Sequence, residues 1–158
     1  MGRSVTGERT AAPVAKDADL YSWALRQAEL LRAGRLAEID ADGIAEEIDD
    51  VGEEQYDKLE SALRVLILHL LKWDHQPDRR SRSWTASVRE QRRRVIRQLR
   101  KNPGLRSRLD EGLEDAYEDA RDEASVETGL PLSFFPLRRP FEYAEIMERS
   151  IVWPGDED

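Results

Sequence analysis

The chain has 158 residues, of which 33 are acidic and 25 are basic, so its formal net charge is −8. This length fits one ordinary domain that buries a core without help from metals or disulfides. The chain has no cysteine, which excludes disulfides, thiolate metal sites and a cysteine nucleophile. The same absence fits the reducing cytoplasm, where we expect the protein to act. No apolar run approaches the roughly 20 residues of a membrane span, so we predict no membrane segment.

Helical patterns begin near residue 17. We expect residues 1–16 to form a mobile tail, because they carry almost no large apolar side chains. The first helix should begin at Asp17 or Asp19, either of which serves as an N-cap, and should end at Gly34. A second, shorter helix should open at residues 40–42, with Ile44, Ile48 and Val51 along one face.

A third helix is predicted over about residues 53–73. Its second half is apolar nearly all round, which indicates a central helix with neighbours on several sides. It should end before Pro77, because proline cannot continue the hydrogen-bond ladder. A fourth helix should begin between residues 78 and 83 and run to about Lys101, with Val88, Val95 and Ile96 facing inward.

Asn102 and Pro103 predict the start of a fifth helix that runs to about Thr128. Three prolines then break the chain, and three phenylalanines, Phe134 among them, should dock onto the helices. We predict an all-α fold: a four- to five-helix bundle with a short C-terminal helix near residues 142–149 and an irregular C-terminal wrap. It should form a single domain over residues 17–153, followed by a frayed end at 154–158.

Two successive helices carry opposite charge. Residues 79–101 hold ten basic residues and one acid, whereas residues 110–127 hold nine acids and one base. A short turn joins them, so they should lie antiparallel and adjacent. One interpretation is mutual neutralisation, at about 0.2–1 kcal/mol for each exposed pair. The alternative is an exposed basic surface for nucleic acid, which the net acidic charge of the chain disfavours.

The turn after the third helix is the densest polar segment. Arginine binds phosphate or carboxylate in a bidentate manner, and an aromatic wall suits a small ligand. The alternative is structural: the two tryptophans cap the end of the bundle, and Asp78 or Ser83 caps the fourth helix. The residues of this candidate binding turn are Trp73, His75, Gln76, Arg80, Arg82 and Trp84.

The chain has two histidines, His69 and His75, six residues apart. This is not the spacing that places two metal ligands on one helical face. A metal site would need carboxylates from another helix, and Glu46 and Glu47 are the nearest by topology. The Glu-x-x-His pairs typical of helical metal sites are missing, and His69 among apolar neighbours is typical of a core histidine. We therefore predict no metal and no cofactor, and keep these four side chains as the alternative.

Short motifs follow one another in order from about residue 17 to residue 153. They occupy residues 31–35, 45–48 with Gly52, 69–73, 76–77, 80–81, 83–84, 91–92, 116–117 and 127–131. This string resembles the bacterial "domain of unknown function 29" family. The resemblance implies an all-helical fold and occurrence in bacteria, and it implies no activity.

No catalytic constellation or glycine-rich phosphate loop is recognisable, which argues against an enzyme. The sequence therefore favours a cytoplasmic interaction or regulatory module that binds a protein partner or a second copy. A nucleic-acid-associated protein using residues 79–101 is one alternative. An enzyme or metal-binding protein using His69 and His75 with Glu46 and Glu47 is the other.

Overall fold

The computed structural model describes residues 13–154, and within this range it contains five α-helices and no strand. This confirms the all-α bundle with a short C-terminal helix. Most of the predicted tail and the predicted frayed end, residues 1–12 and 155–158, lie outside the described residues. None of the described helices is both long and apolar enough to cross a membrane. The helices are α1 (Leu20–Arg32), α2 (Ala41–His75), α3 (Arg82–Lys101), α4 (Leu109–Thr128) and α5 (Tyr143–Glu148).

Helix α1 has the predicted ends. The Asp19 side chain accepts a hydrogen bond from the Ser22 backbone N–H at 3.0 Å, which satisfies a free donor of the first turn. At the other end Gly34 has φ +68°, a conformation that costs glycine little, and the Arg35 N–H reaches back to the Leu30 carbonyl. Helix α3 likewise begins and ends within the predicted limits.

Two predicted boundaries are wrong. The second and third predicted helices are one continuous helix of 35 residues, α2. Gly52 retains its backbone N–H, so the ladder continues through it at a cost of about 1 kcal/mol relative to alanine. The predicted fifth helix begins later than expected: Pro103–Arg108 is a 3₁₀ segment, and α4 starts only at Leu109. In that segment the Ser107 hydroxyl donates to the Gly104 carbonyl at 2.8 Å.

The chain divides into two compact units whose border lies between Val51 and Gly52, within α2. The described part of the first unit comprises α1, a 3₁₀ turn at Leu36–Glu38 and residues 41–51 of α2; we call it the N-terminal hairpin. The second contains the rest of α2 with α3, α4 and α5; we call it the core unit. The single domain over residues 17–153 stays a prediction.

The core unit is built around the second half of α2. Leu63, Leu66 and Leu70 on this helix are fully buried, which agrees with the central position predicted for it. Ile96 was expected to face inward, but it is 54% exposed. The side of α3 that is buried is the one that carries Gln91, and Ile96 lies outside it. Of the phenylalanines expected to dock, Phe134 is also exposed. The C-terminal segment contributes to the core through Phe135, Phe141, Ile146 and Ile151.

Candidate interaction surfaces

Asp40 joins the two helices of the N-terminal hairpin. Its carboxylate accepts one hydrogen bond from the Gly43 N–H at 3.0 Å and another from the Trp23 indole Nε1 at 3.1 Å. Its own backbone N–H donates to the Gln27 side chain at 2.8 Å. Gly43 is required here, because a Cβ at that position would lie 2.8 Å from the Trp23 ring. The first turn of α2 is thereby fixed against α1.

An apolar groove runs along this hairpin. It has a volume of about 230 Å³. Ile48 and Val51, which lie on its α2 side, are 64% and 60% exposed. Sequence periodicity predicted correctly that these residues share one face of α2, but it did not indicate that this face could bind a partner. The groove is lined by Trp23, Ala24, Gln27, Ala28, Leu31, Ile44, Glu47, Ile48 and Val51.

The groove lies in an acidic surrounding. Residues 41–51 of α2 contain five carboxylates and no basic residue. Over residues 13–51 there are ten acidic and four basic residues, a net charge of −6. Lys16 offsets part of this negative charge, because its ammonium forms ion pairs with Glu46 at 2.7 Å and Glu47 at 2.9 Å. The two carboxylates considered for a metal site therefore share a lysine.

The candidate binding turn brings two of its six predicted residues together. Arg80 stacks on the Trp73 ring at 4.7 Å and donates from Nε to the Trp73 carbonyl at 2.9 Å. Both residues line a cavity of about 330 Å³ that Trp153 also lines. Trp153 comes from the C-terminal segment, 80 residues further along the chain than Trp73, and no local pattern indicated it. The Asp78 side chain shares this cavity, so its carboxylate opposes an anionic ligand there.

The other residues of the turn have separate contacts. The His75 ring lies 4.8 Å from the Phe135 ring and bonds the Leu71 carbonyl through Nδ1. Gln76 donates to the Thr128 carbonyl at 3.4 Å. The Lys72 ammonium lies over the Trp84 ring, 4.7 Å from its centroid. Neither these three residues nor Arg82 is among the residues that line the Trp73 cavity. The contacts of His75, Gln76 and Trp84 are thus those of residues that pack within the fold.

His69 is half-buried in the core unit. Its Nδ1 lies 2.8 Å from the Val65 carbonyl of the preceding turn. Burial lowers the pKa of His69, since the charged ring would lose hydration. Within residues 13–154 no three side chains of histidine, aspartate or glutamate converge as a metal ion would need. The histidines thus have contacts typical of structural residues.

The acidic helix α4 forms its ion pairs with residues outside α3. Glu127 pairs with Lys72 of α2 at 2.5 Å, and Glu123 pairs with Arg64 of the same helix. Two further carboxylates, Glu111 and Glu114, pair with arginines of the flanking segments, Arg108 and Arg139. Among the described residues, none of these pairs reaches α3. Direct ion pairs between α3 and α4 therefore do not neutralise the two helices in the part of the chain that the structure describes.

The outer face of α3 is consequently a row of exposed bases. Glu90 is the single acid of this helix, and hydrogen bonds from Arg93 and Arg94 lower its pKa. Arg97 also approaches it, at 3.4 Å. The exposed basic residues of α3 are Arg82, Arg89, Arg93, Arg94, Arg97, Arg100 and Lys101.

Comparison with known proteins identifies a family but assigns no function. No curated protein and no solved structure matches this chain significantly. A family model described as "Domain of unknown function DUF29" matches residues 16–152. That description names no activity, ligand or partner. Because the match covers most of the 158 residues, the chain belongs to the DUF29 family.

Proposed function

We propose that this protein is a protein-interaction module whose N-terminal hairpin binds an amphipathic helix bearing basic residues. The observation that carries the proposal is the exposed apolar groove of the hairpin, with Ile48 and Val51 mostly open to solvent. Exposed contiguous apolar surface of this kind marks binding sites. A helix that lays its apolar face into such a groove is a recurring mode of recognition. The absence of cysteine supports the cytoplasm as the place of action.

Charge favours a basic helix over a second copy as the occupant. Residues 41–51, which provide the α2 side of the groove, carry five carboxylates, and that of Glu47 belongs to a residue of the groove lining. A second copy would place two surfaces of the same sign opposite each other, and like charges across an interface reduce affinity. Lysine or arginine beside the apolar stripe of a partner helix would instead meet those carboxylates. Helix α1 has 13 residues and is thus about 20 Å long, which matches about four turns of a partner helix.

Two synthetic peptides test this proposal. Both are helices of about 18 residues with the same leucine stripe, one with lysine and one with glutamate beside the stripe. We expect the lysine peptide to bind in a fluorescence anisotropy titration and Ile48→Ser to weaken it about tenfold, because the buried isoleucine contact is lost. Ile96→Ser removes an isoleucine of α3 that is also more than half exposed and should leave binding unchanged. Equal binding of the two peptides, or equal losses in the two variants, would refute the proposal.

A photo-crosslinking amino acid extends the test to the native host. Placed at Ala28 in the groove, it should join a basic, amphipathic helical segment of another protein, identified by mass spectrometry of the crosslinked peptide. The same amino acid at Arg26, an exposed α1 residue outside the groove lining, should not capture that segment. Crosslinks from Ala28 to this chain alone, together with a dimer by light scattering, would identify a second copy as the occupant and overturn the basic-helix proposal.

The exposed bases of α3 favour nucleic acid as a second candidate partner. The specific observation is that the carboxylates of α4 pair elsewhere, which leaves the arginines of α3 open to solvent. Arg89, Arg93, Arg97 and Arg100 are spaced by four, four and three residues, so they share one face. A titration of short DNA and RNA across salt concentrations tests this candidate. Binding should weaken steeply with salt and lessen in Arg93→Gln/Arg97→Gln; no salt-dependent binding would remove it.

A further inference from the structure

A second cavity of the core unit lies between α3 and the segment that follows α5. Its volume is about 330 Å³, at the lower end of the range of roughly 300–1,000 Å³ found for small-molecule sites. Three arginines line it, and an aromatic ring and aliphatic side chains form part of its wall. Besides Glu148, the polar and aromatic lining residues are Thr85, Arg89, Arg92, Arg149, Ser150 and Trp153.

The guanidinium of Arg92 is fixed in this cavity without a carboxylate partner. Its Nε donates to the Ile146 carbonyl at 2.9 Å, and one terminal nitrogen donates to the Arg149 carbonyl at 2.7 Å. Both acceptors are carbonyls at the C-terminal end of α5, so they orient the guanidinium and leave its positive charge unbalanced. Among the described residues no carboxylate forms an ion pair with Arg92. Burial and the nearby charge of Arg149 lower the pKa of Arg92, which reflects the same unbalanced charge.

Among the described residues, the neighbouring charges do not cancel this excess. Arg149 is occupied by Asp74, which accepts from one of its terminal nitrogens at 2.9 Å. Arg89 lies one helical turn from Arg92 and is exposed, with no carboxylate partner among residues 13–154. Glu148 lines the cavity and is its one acidic residue. The lining thus holds three guanidiniums and one carboxylate, while Asp74 and the nearby Glu145 act on Arg149.

We propose that this cavity binds a small oxyanion with an apolar body, a phosphate monoester or a carboxylate, through Arg89 and Arg92. An oriented guanidinium is the preferred partner of both anions, because its N–H groups match two oxygens at once. The Trp153 ring provides the surface for the apolar body. Ser150 supplies a hydroxyl at the cavity lining. This site is separate from the hairpin groove, and its test is independent of the protein-interaction function proposed for that groove.

Phenyl phosphate, benzoate and inorganic phosphate are the probes. Each is titrated into the ¹⁵N-labelled full chain while the arginine Nε–Hε resonances are followed by NMR. We expect saturable shifts at Arg89 and Arg92, and a preference between phenyl phosphate and benzoate that identifies the anion. Trp153→Leu should weaken phenyl phosphate and leave inorganic phosphate unchanged, because only the former uses the ring. If neither phenyl phosphate nor benzoate saturates the site below about 10 mM, the proposal is overturned.

Paired arginine variants separate a site from general charge attraction. Arg89→Gln should weaken phenyl phosphate about tenfold, as expected for one charge-assisted hydrogen bond. Arg94→Gln removes the same charge from an exposed position of α3 outside the cavity and should change affinity less than about twofold. Neither arginine has a hydrogen bond to the core, so both variants should fold. Equal losses in the two variants would reduce the binding to non-specific attraction and refute the site.

Discussion

The two halves of α2 have similar apolar spacing and opposite surroundings. In residues 41–51 Ile48 and Val51 are 64% and 60% exposed, whereas Leu63 and Leu66 in the second half are fully buried. Periodicity is helical in both halves, so the difference comes from the number of elements packed on each. A hairpin of two helices leaves one apolar face uncovered, while several helices and the C-terminal segment surround the second half. An amphipathic face therefore does not by itself indicate a core.

The largest expected effect tests this contrast directly. Leu66→Ala should lower the free energy of unfolding by about 3 kcal/mol, because it leaves a cavity in a packed core. Ile48→Ala, on the same helix, should change it by less than about 0.5 kcal/mol, since that side chain is already exposed. Urea unfolding followed by circular dichroism measures both values. A loss above about 1 kcal/mol for Ile48→Ala that grows with protein concentration would show that a second copy covers the hairpin.

The fold was largely predictable because it rests on local signals. Proline at position 77, the Asp19 cap and the glycine at position 34 each mark an element end through backbone chemistry that acts within a few residues. The wrong boundary at Gly52 shows the limit of such signals. A glycine weakens a helix by about 1 kcal/mol, and neighbouring helical residues outweigh that cost in α2.

The candidate sites were less predictable because distant residues build them. The turn at residues 73–84 was singled out for its composition, yet its cavity is completed by Trp153. The Arg92 guanidinium gains its fixed position from carbonyls 54 and 57 residues away. The pairing of α4 carboxylates with α2 likewise depends on which helices touch. Adjacency in the sequence suggested that the α4 carboxylates pair with α3, whereas in the folded chain they pair with α2.

The effect expected to be intermediate in size is a loss of stability confined to the N-terminal hairpin. Asp40→Ala removes the N-cap of α2 and the acceptor of the Trp23 indole, and should cost about 2 kcal/mol of local stability. Hydrogen exchange read by mass spectrometry should show faster exchange across α1, while α3 and α4 keep their protection. Asp42→Ala, which removes a charge from the same turn, should cost only about 0.5 kcal/mol. Loss of protection throughout the chain would mean that the two units unfold together.

The smallest effect is a pH dependence that belongs to the core unit. Burial holds the pKa of His69 below its unfolded value of about 6.5, so the unfolded chain binds more protons in acid. The contribution of His69 to stability is therefore complete above about pH 6.5 and is lost as pH falls through the folded pKa. We expect a loss of less than about 1 kcal/mol, because partial exposure screens the charge.

His69→Gln isolates this contribution. The variant should lose the part of the pH dependence below about pH 6.5 that His69 carries, measured by urea unfolding at each pH. His75→Gln retains His69 and should keep that part of the slope. If His69→Gln leaves the slope unchanged, the prediction for His69 is wrong. Glu60 would not explain such a fall, because burial raises its pKa and its effect on stability has the opposite sign, favouring the folded state at lower pH.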